Sequence, residues 1–124
     1  MRNVIHVLTV VLLFSVSGQA MGRDKDYYYR VEAVFTCKQF LADWKNVKAG
    51  KPPEYYWVAG YITAYNMMAR NTYSVLGKSD LNSTLSWLDN YCKANPQSSL
   101  HQGLTDLLPT LYATRYQTRT IPAK

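Results

Sequence analysis

Two cysteines, Cys37 and Cys92, constrain this chain more than any other feature, because of the segment that precedes them. Residues 1–20 read as a cleavable export signal. Arg2 gives a positive start, Val4–Val16 an apolar stretch, and Gly18 and Ala20 are small residues at −3 and −1 of a cut after Ala20. The apolar stretch is shorter than a bilayer-spanning helix, so no stable membrane anchor is expected. An exported chain works where disulfides persist, and with one pair of cysteines the expected bond is Cys37–Cys92. The expected compartment is the periplasm.

Removing the 20-residue signal from 124 residues leaves 104, enough for one domain. A domain of that size buries a modest fraction of its surface and gains from a covalent staple. Closing the 55-residue span between the cysteines stabilises by about 4 kcal/mol on the loop-entropy model. No C-x-x-C motif is present, so a structural role is expected for both residues.

Four amphipathic stretches follow an arm at residues 21–34, and they predict a small all-α, four-helix domain over residues 35–116 with a tail at 117–124. Thr36 and Gln39 form a capping box, and Cys37, Phe40, Leu41 and Trp44 follow at helical spacing. Ala49-Gly50-Lys51-Pro52-Pro53 breaks this helix. The second stretch runs from about Glu54 to Asn71, with Trp57, Val58, Tyr61, Ile62, Tyr65 and Met68 at helical spacing. Gly60 inside it implies close packing, since glycine costs about 1 kcal/mol there relative to alanine. The third spans Leu81–Ala94 and ends at Asn95-Pro96. The fourth opens at Ser98 or Ser99, carries Leu100, Leu104, Leu107, Leu108 and Leu111, and is expected to stop or kink at Pro109.

Little in the chain points to chemistry. With Arg2 removed, the full-chain charge of +6 becomes +5, and the basic residues are scattered. Together with export, that argues against a nucleic-acid partner. His101 stands alone, without a Cys or carboxylate cluster at ligand spacing, and no cofactor is expected. None of the 8 carboxylates shares a helical face with another, so an acid–base pair would have to be assembled by tertiary contact. No catalysis is expected.

The aromatic load is high, with 11 Tyr, 3 Trp and 3 Phe. One helix cannot turn Tyr55, Tyr56, Trp57, Tyr61 and Tyr65 all inward. Tyr55 and Tyr56, with Tyr73 and Lys51, are therefore the candidate protein-binding residues. The partner would be another protein or a second copy of the chain.

Three blocks carry a family resemblance: Thr36-Cys37-Lys38-Gln39-Phe40-Leu41, Trp57-Val58-Ala59-Gly60-Tyr61-Ile62, and Trp87-Leu88-Asp89-Asn90-Tyr91-Cys92-Lys93-Ala94-Asn95-Pro96. In this order they resemble the HdeA/HdeB-like family of small exported bacterial proteins, over roughly Phe35 to Leu108. The resemblance implies an all-α periplasmic domain with one disulfide, often dimeric, and an acid-stress chaperone that holds unfolding clients. The chain departs from the family's founders in having few carboxylates, the groups through which acid activation works. The same skeleton is similar to periplasmic immunity proteins that neutralise peptidoglycan amidases delivered by type VI secretion. That alternative places function in a plug such as Ala49–Tyr56 or the Asn71–Asp80 loop, and the sequence selects neither.

Overall fold

The computed structural model describes residues 23–45 and 50–119. The expected export signal with residues 21 and 22, residues 46–49 and the end of the tail (120–124) lie outside them. The chain divides into two units, Met1–Val31 and Glu32–Lys124. In the first, the Asp24 carboxylate accepts hydrogen bonds from the Asp26 and Tyr28 amides at 2.9 and 2.8 Å. The resulting tight turn places Tyr27 at φ 68° and leaves Tyr27 and Tyr28 exposed.

The second unit is the expected four-helix domain: α1 (Cys37–Lys45), α2 (Pro53–Met68), α3 (Leu81–Ala94) and α4 (Leu100–Ala113). No strand occurs among the described residues, only isolated bridges Thr36↔Ser99 and Ser74↔Tyr116. α3 is the hub on which α1, α2 and α4 pack. The core consists of Phe40 from α1, Val58 and Ile62 from α2, Leu85 and Leu88 from α3, and Leu100, Leu104 and Leu108 from α4, with Val75 from the α2–α3 loop.

The helix starts follow from local chemistry. The α1 capping box forms as expected: Gln39 N donates to Thr36 Oγ1 at 3.2 Å and Thr36 N to Gln39 Oε1 at 3.1 Å. α2 starts with Pro53, which has no amide to leave unsatisfied. Asp80 caps α3 by accepting from Ser83 N at 2.7 Å, and Ser99 caps α4 by accepting from Gln102 N at 3.2 Å. Gln102 does not reach back to complete a capping box with Ser99, because its side chain donates to Asp106 instead.

The disulfide is Cys37–Cys92, with both cysteines fully buried. It joins the first turn of α1 to the last turn of α3. Beside it, Cys37 N donates to Ser98 O and Leu100 N to Phe35 O, each at 2.9 Å, so the chain before α1 is stitched to the α3–α4 turn.

Three sequence expectations are corrected. α2 ends at Met68 rather than near Asn71, since Ala69 is extended (ψ 134°) and the chain turns away. α4 neither stops at Leu108 nor at Pro109 but continues to Ala113. Pro109 is on the exposed side, and the turn after it places Leu111 and Tyr112 against the core. Gly60 has no packing reason among the described residues: it is exposed, and a Cβ there would meet none of them within 4 Å. The close approach occurs at Gly103 of α4, where a Cβ would lie 2.8 Å from Leu88 Cδ2 and 3.0 Å from the Tyr91 ring.

Candidate functional site

The four candidate binding residues fall into two places. Lys51, Tyr55 and Tyr56 cluster at the start of α2. The Lys51 ammonium lies 3.9 Å from the Tyr55 ring centroid, and the Tyr55 and Tyr56 rings meet edge to face at 5.4 Å. Tyr55 is half-buried, whereas Tyr56 is 64% exposed. Trp44, Gly50, Lys51 and Pro52 line a hollow of about 260 Å³ at this end. Tyr73 lies beyond the other end of α2, a helix roughly 24 Å long at 1.5 Å per residue.

Between these ends α2 has an outer face that the candidate set missed. Tyr56, Gly60, Thr63 and Met67 share one side of the helix and are all exposed, with Met68 beside them. Met67 is 79% exposed and Met68 72%. The signal is present in the sequence, because no charged residue occurs between Glu54 and Arg70. A helix that is apolar all round is normally covered on both sides.

The segment after α2 is held in one conformation by residues far along the chain. Tyr73 N and Ser74 N both donate to Tyr116 O, at 2.8 and 3.1 Å, and Tyr116 N donates back to Ser74 O at 2.9 Å. Val75 is fully buried, and its amide donates to Asn66 Oδ1 at 2.7 Å. Tyr112 Oη donates to Arg70 O at 3.1 Å. Arg115 lies over the Tyr112 ring, 3.7 Å from its centroid, and its Nε donates to Asn71 O at 3.0 Å. Gly77, at φ +57°, brings the loop against the Thr114 carbonyl, leaving no room for a Cβ. Tyr73 stands half-exposed on this scaffold.

One carboxyl pair is assembled by tertiary contact. Glu54, 1% exposed, is hydrogen-bonded by the Asp43 side chain from the last turn of α1. Burial, with Asp43 adding to it, raises the Glu54 carboxyl above its ordinary value of 4.5. His101 is half-buried, its ring 5.7 Å from that of Tyr61, and burial lowers its affinity for a proton. Among the described residues no group of three or more His, Cys, Asp or Glu is placed to hold a metal ion, and no helix is long and apolar enough to cross a membrane. The chain matches no protein-family model, no curated protein and no solved structure.

Proposed function

We propose that the protein acts outside the cytoplasm as a non-catalytic binder, presenting the loop at residues 69–80 as a preformed wedge to a folded protein. Of the two activities its family resemblance implies, neutralising a peptidoglycan-degrading toxin is the reading this geometry supports best. The observation that carries it is the clamp on the loop. Hydrogen bonds from Tyr116, Tyr112 and Arg115, together with the buried Val75, fix the backbone around Tyr73 before any partner arrives. A loop already ordered loses little entropy on binding, and a half-exposed tyrosine on a held backbone, with Arg70 and Lys78 in the same loop, has the composition of an interface anchor.

A second reading, an acid-stress chaperone, has its own support in the outer face of α2. Exposed Met67 and Met68 beside Tyr56 make an uncharged and adaptable surface, which suits unfolded clients better than one folded target.

The test assays the purified protein against peptidoglycan hydrolases encoded beside its gene, on purified sacculi at neutral pH, and against an aggregating client in acid. Inhibition that Tyr73→Ala removes, with the thermal midpoint unchanged, is the expected result. No inhibition of any such hydrolase, together with client protection in acid that survives Tyr73→Ala, would transfer the function to the α2 face.

A further inference from the structure

Glu54 occupies the second position of α2 on the stripe that continues through Val58 and Ile62, so it closes one end of the core instead of facing solvent. Its Oε2 is enclosed and accepts no hydrogen bond. Two groups reach its carboxyl: its own backbone amide, which favours the anion, and the Asp43 side chain of α1, which disfavours it. Two carboxyl groups can hydrogen-bond to each other only when one carries a proton. Desolvation penalises a charge most on the enclosed member, which is Glu54, while Asp43 is exposed.

Among the described residues, the other charges on the surrounding elements are engaged elsewhere or lie in solvent. Lys51 sits over the Tyr55 ring. Lys38 and Lys45 of α1 are exposed. On α3, Lys93 pairs with Asp89. On α4, Asp106 accepts from Tyr91 and Gln102, and His101 lies against Tyr61.

We propose that Asp43 and Glu54 share one proton across the α1–α2 junction, a carboxyl latch that tightens the fold as the surroundings become more acidic. In the latched form the protonated Glu54 donates to the Asp43 carboxylate. Loss of that proton to solvent leaves two anions in contact, one of them without water, and pushes the two helix ends apart. Because burial and Asp43 raise Glu54, the folded state keeps its proton longer than the unfolded chain does. The stabilisation is full below the ordinary value of 4.5 and is lost as pH rises through the folded-state value. Protonating the half-buried His101 works in the opposite sense, so the latch is read as a difference between variants.

Thermal midpoints of the oxidised full chain, Glu54→Gln and Asp43→Asn, taken from about pH 4 to about pH 8, test this. A glutamine amide donates to Asp43 at any pH. The wild-type midpoint should therefore fall relative to Glu54→Gln as pH rises, by up to roughly 7 °C per pH unit. A second readout, usable even where Glu54→Gln folds poorly, is the infrared band of a protonated carboxyl in the wild type. That band should persist above the ordinary carboxylate range and titrate at lower pH in Asp43→Asn. Parallel pH profiles for wild type and Glu54→Gln, or a band that titrates at the ordinary value regardless of Asp43, would overturn the latch.

Discussion

The same substitution, glycine to alanine in a helix interior, should have opposite signs at two positions of this fold. At Gly60 a Cβ meets nothing within 4 Å, so Gly60→Ala gains the helix-propensity difference of about 1 kcal/mol with nothing to offset it. At Gly103 the same gain meets three carbons of α3: Leu88 Cδ2 at 2.8 Å, and Tyr91 Cδ1 and Cε1 at 3.0 and 3.1 Å. Neither neighbour can move cheaply. Leu88 is fully buried. Tyr91 stacks on Trp87 with an interplanar angle of 18°, and its hydroxyl donates to Asp106 and lies 3.0 Å from Ser98 Oγ. Overpacking of this kind costs about 1–3 kcal/mol, so Gly103→Ala is destabilising by about 1 kcal/mol after the propensity gain. The variants should therefore melt on either side of wild type, separated by roughly 10 °C for a domain of this size. Circular dichroism at 222 nm under oxidising conditions measures it. Midpoints that move in the same direction would refute the packing argument for both sites.

Replacing both cysteines, Cys37→Ala with Cys92→Ala, should cost about 4 kcal/mol from the 55-residue span, read as a lower urea midpoint; a variant as stable as wild type would mean that the staple is redundant. The nine-residue α1, too short to persist alone, should be the first element to lose amide-exchange protection. Asp80→Ala should lower the melting temperature at neutral pH by removing the α3 cap. The hydrogen bonds from Ser83 lower the Asp80 carboxyl below 3.8, so its stabilisation is present above that value and is lost as pH falls through the folded-state value. Melts of wild type and Asp80→Ala should converge in strong acid.

What the sequence made readable were features closed within one turn of chain. Thr36 with Gln39, Ser99 with the Gln102 amide, and Pro96 after α3 are local signals, and the helices begin or end as those signals predict. The end of α2 was misplaced because Ala69 turns where Asn66 captures the Val75 amide, nine residues on. Pro109 was read as a stop or a kink because one missing amide is visible in sequence, whereas the contacts of Leu111 and Tyr112 beyond it are not. Tyr73 was chosen as a candidate by composition. Its rigidity depends on Tyr116, more than forty residues away, and no spacing rule reaches that far. The Asp43–Glu54 pair is hidden for the same reason, since the two carboxylates share no helix.

Acid acts on the folded domain through groups of opposite sign, and their positions say which end yields first. Glu54 gains stability from protonation, at the junction of α1 and α2. Asp80 and His101 lose it, the first at the foot of the 69–80 loop and the second in the opening turn of α4. Of these only Asp80 lies at the Tyr73 end, because His101 sits against Tyr61 at the end of α4 opposite the clamp; as pH falls, the Tyr73 end should therefore loosen through Asp80 while the Glu54 junction tightens. That asymmetry separates the two functional readings. A wedge that works through the clamped loop loses inhibition in step with the protonation of Asp80, so its affinity declines with acidity. A client holder that works through Tyr56, Met67 and Met68 keeps its surface on a helix whose first turn the latch secures, and a loosened loop only widens it. Partner affinity followed against pH in wild type and Glu54→Gln decides between them. Affinity that falls in acid for both proteins fits the wedge, whereas affinity that rises in acid, with Glu54→Gln binding like wild type, fits the holder.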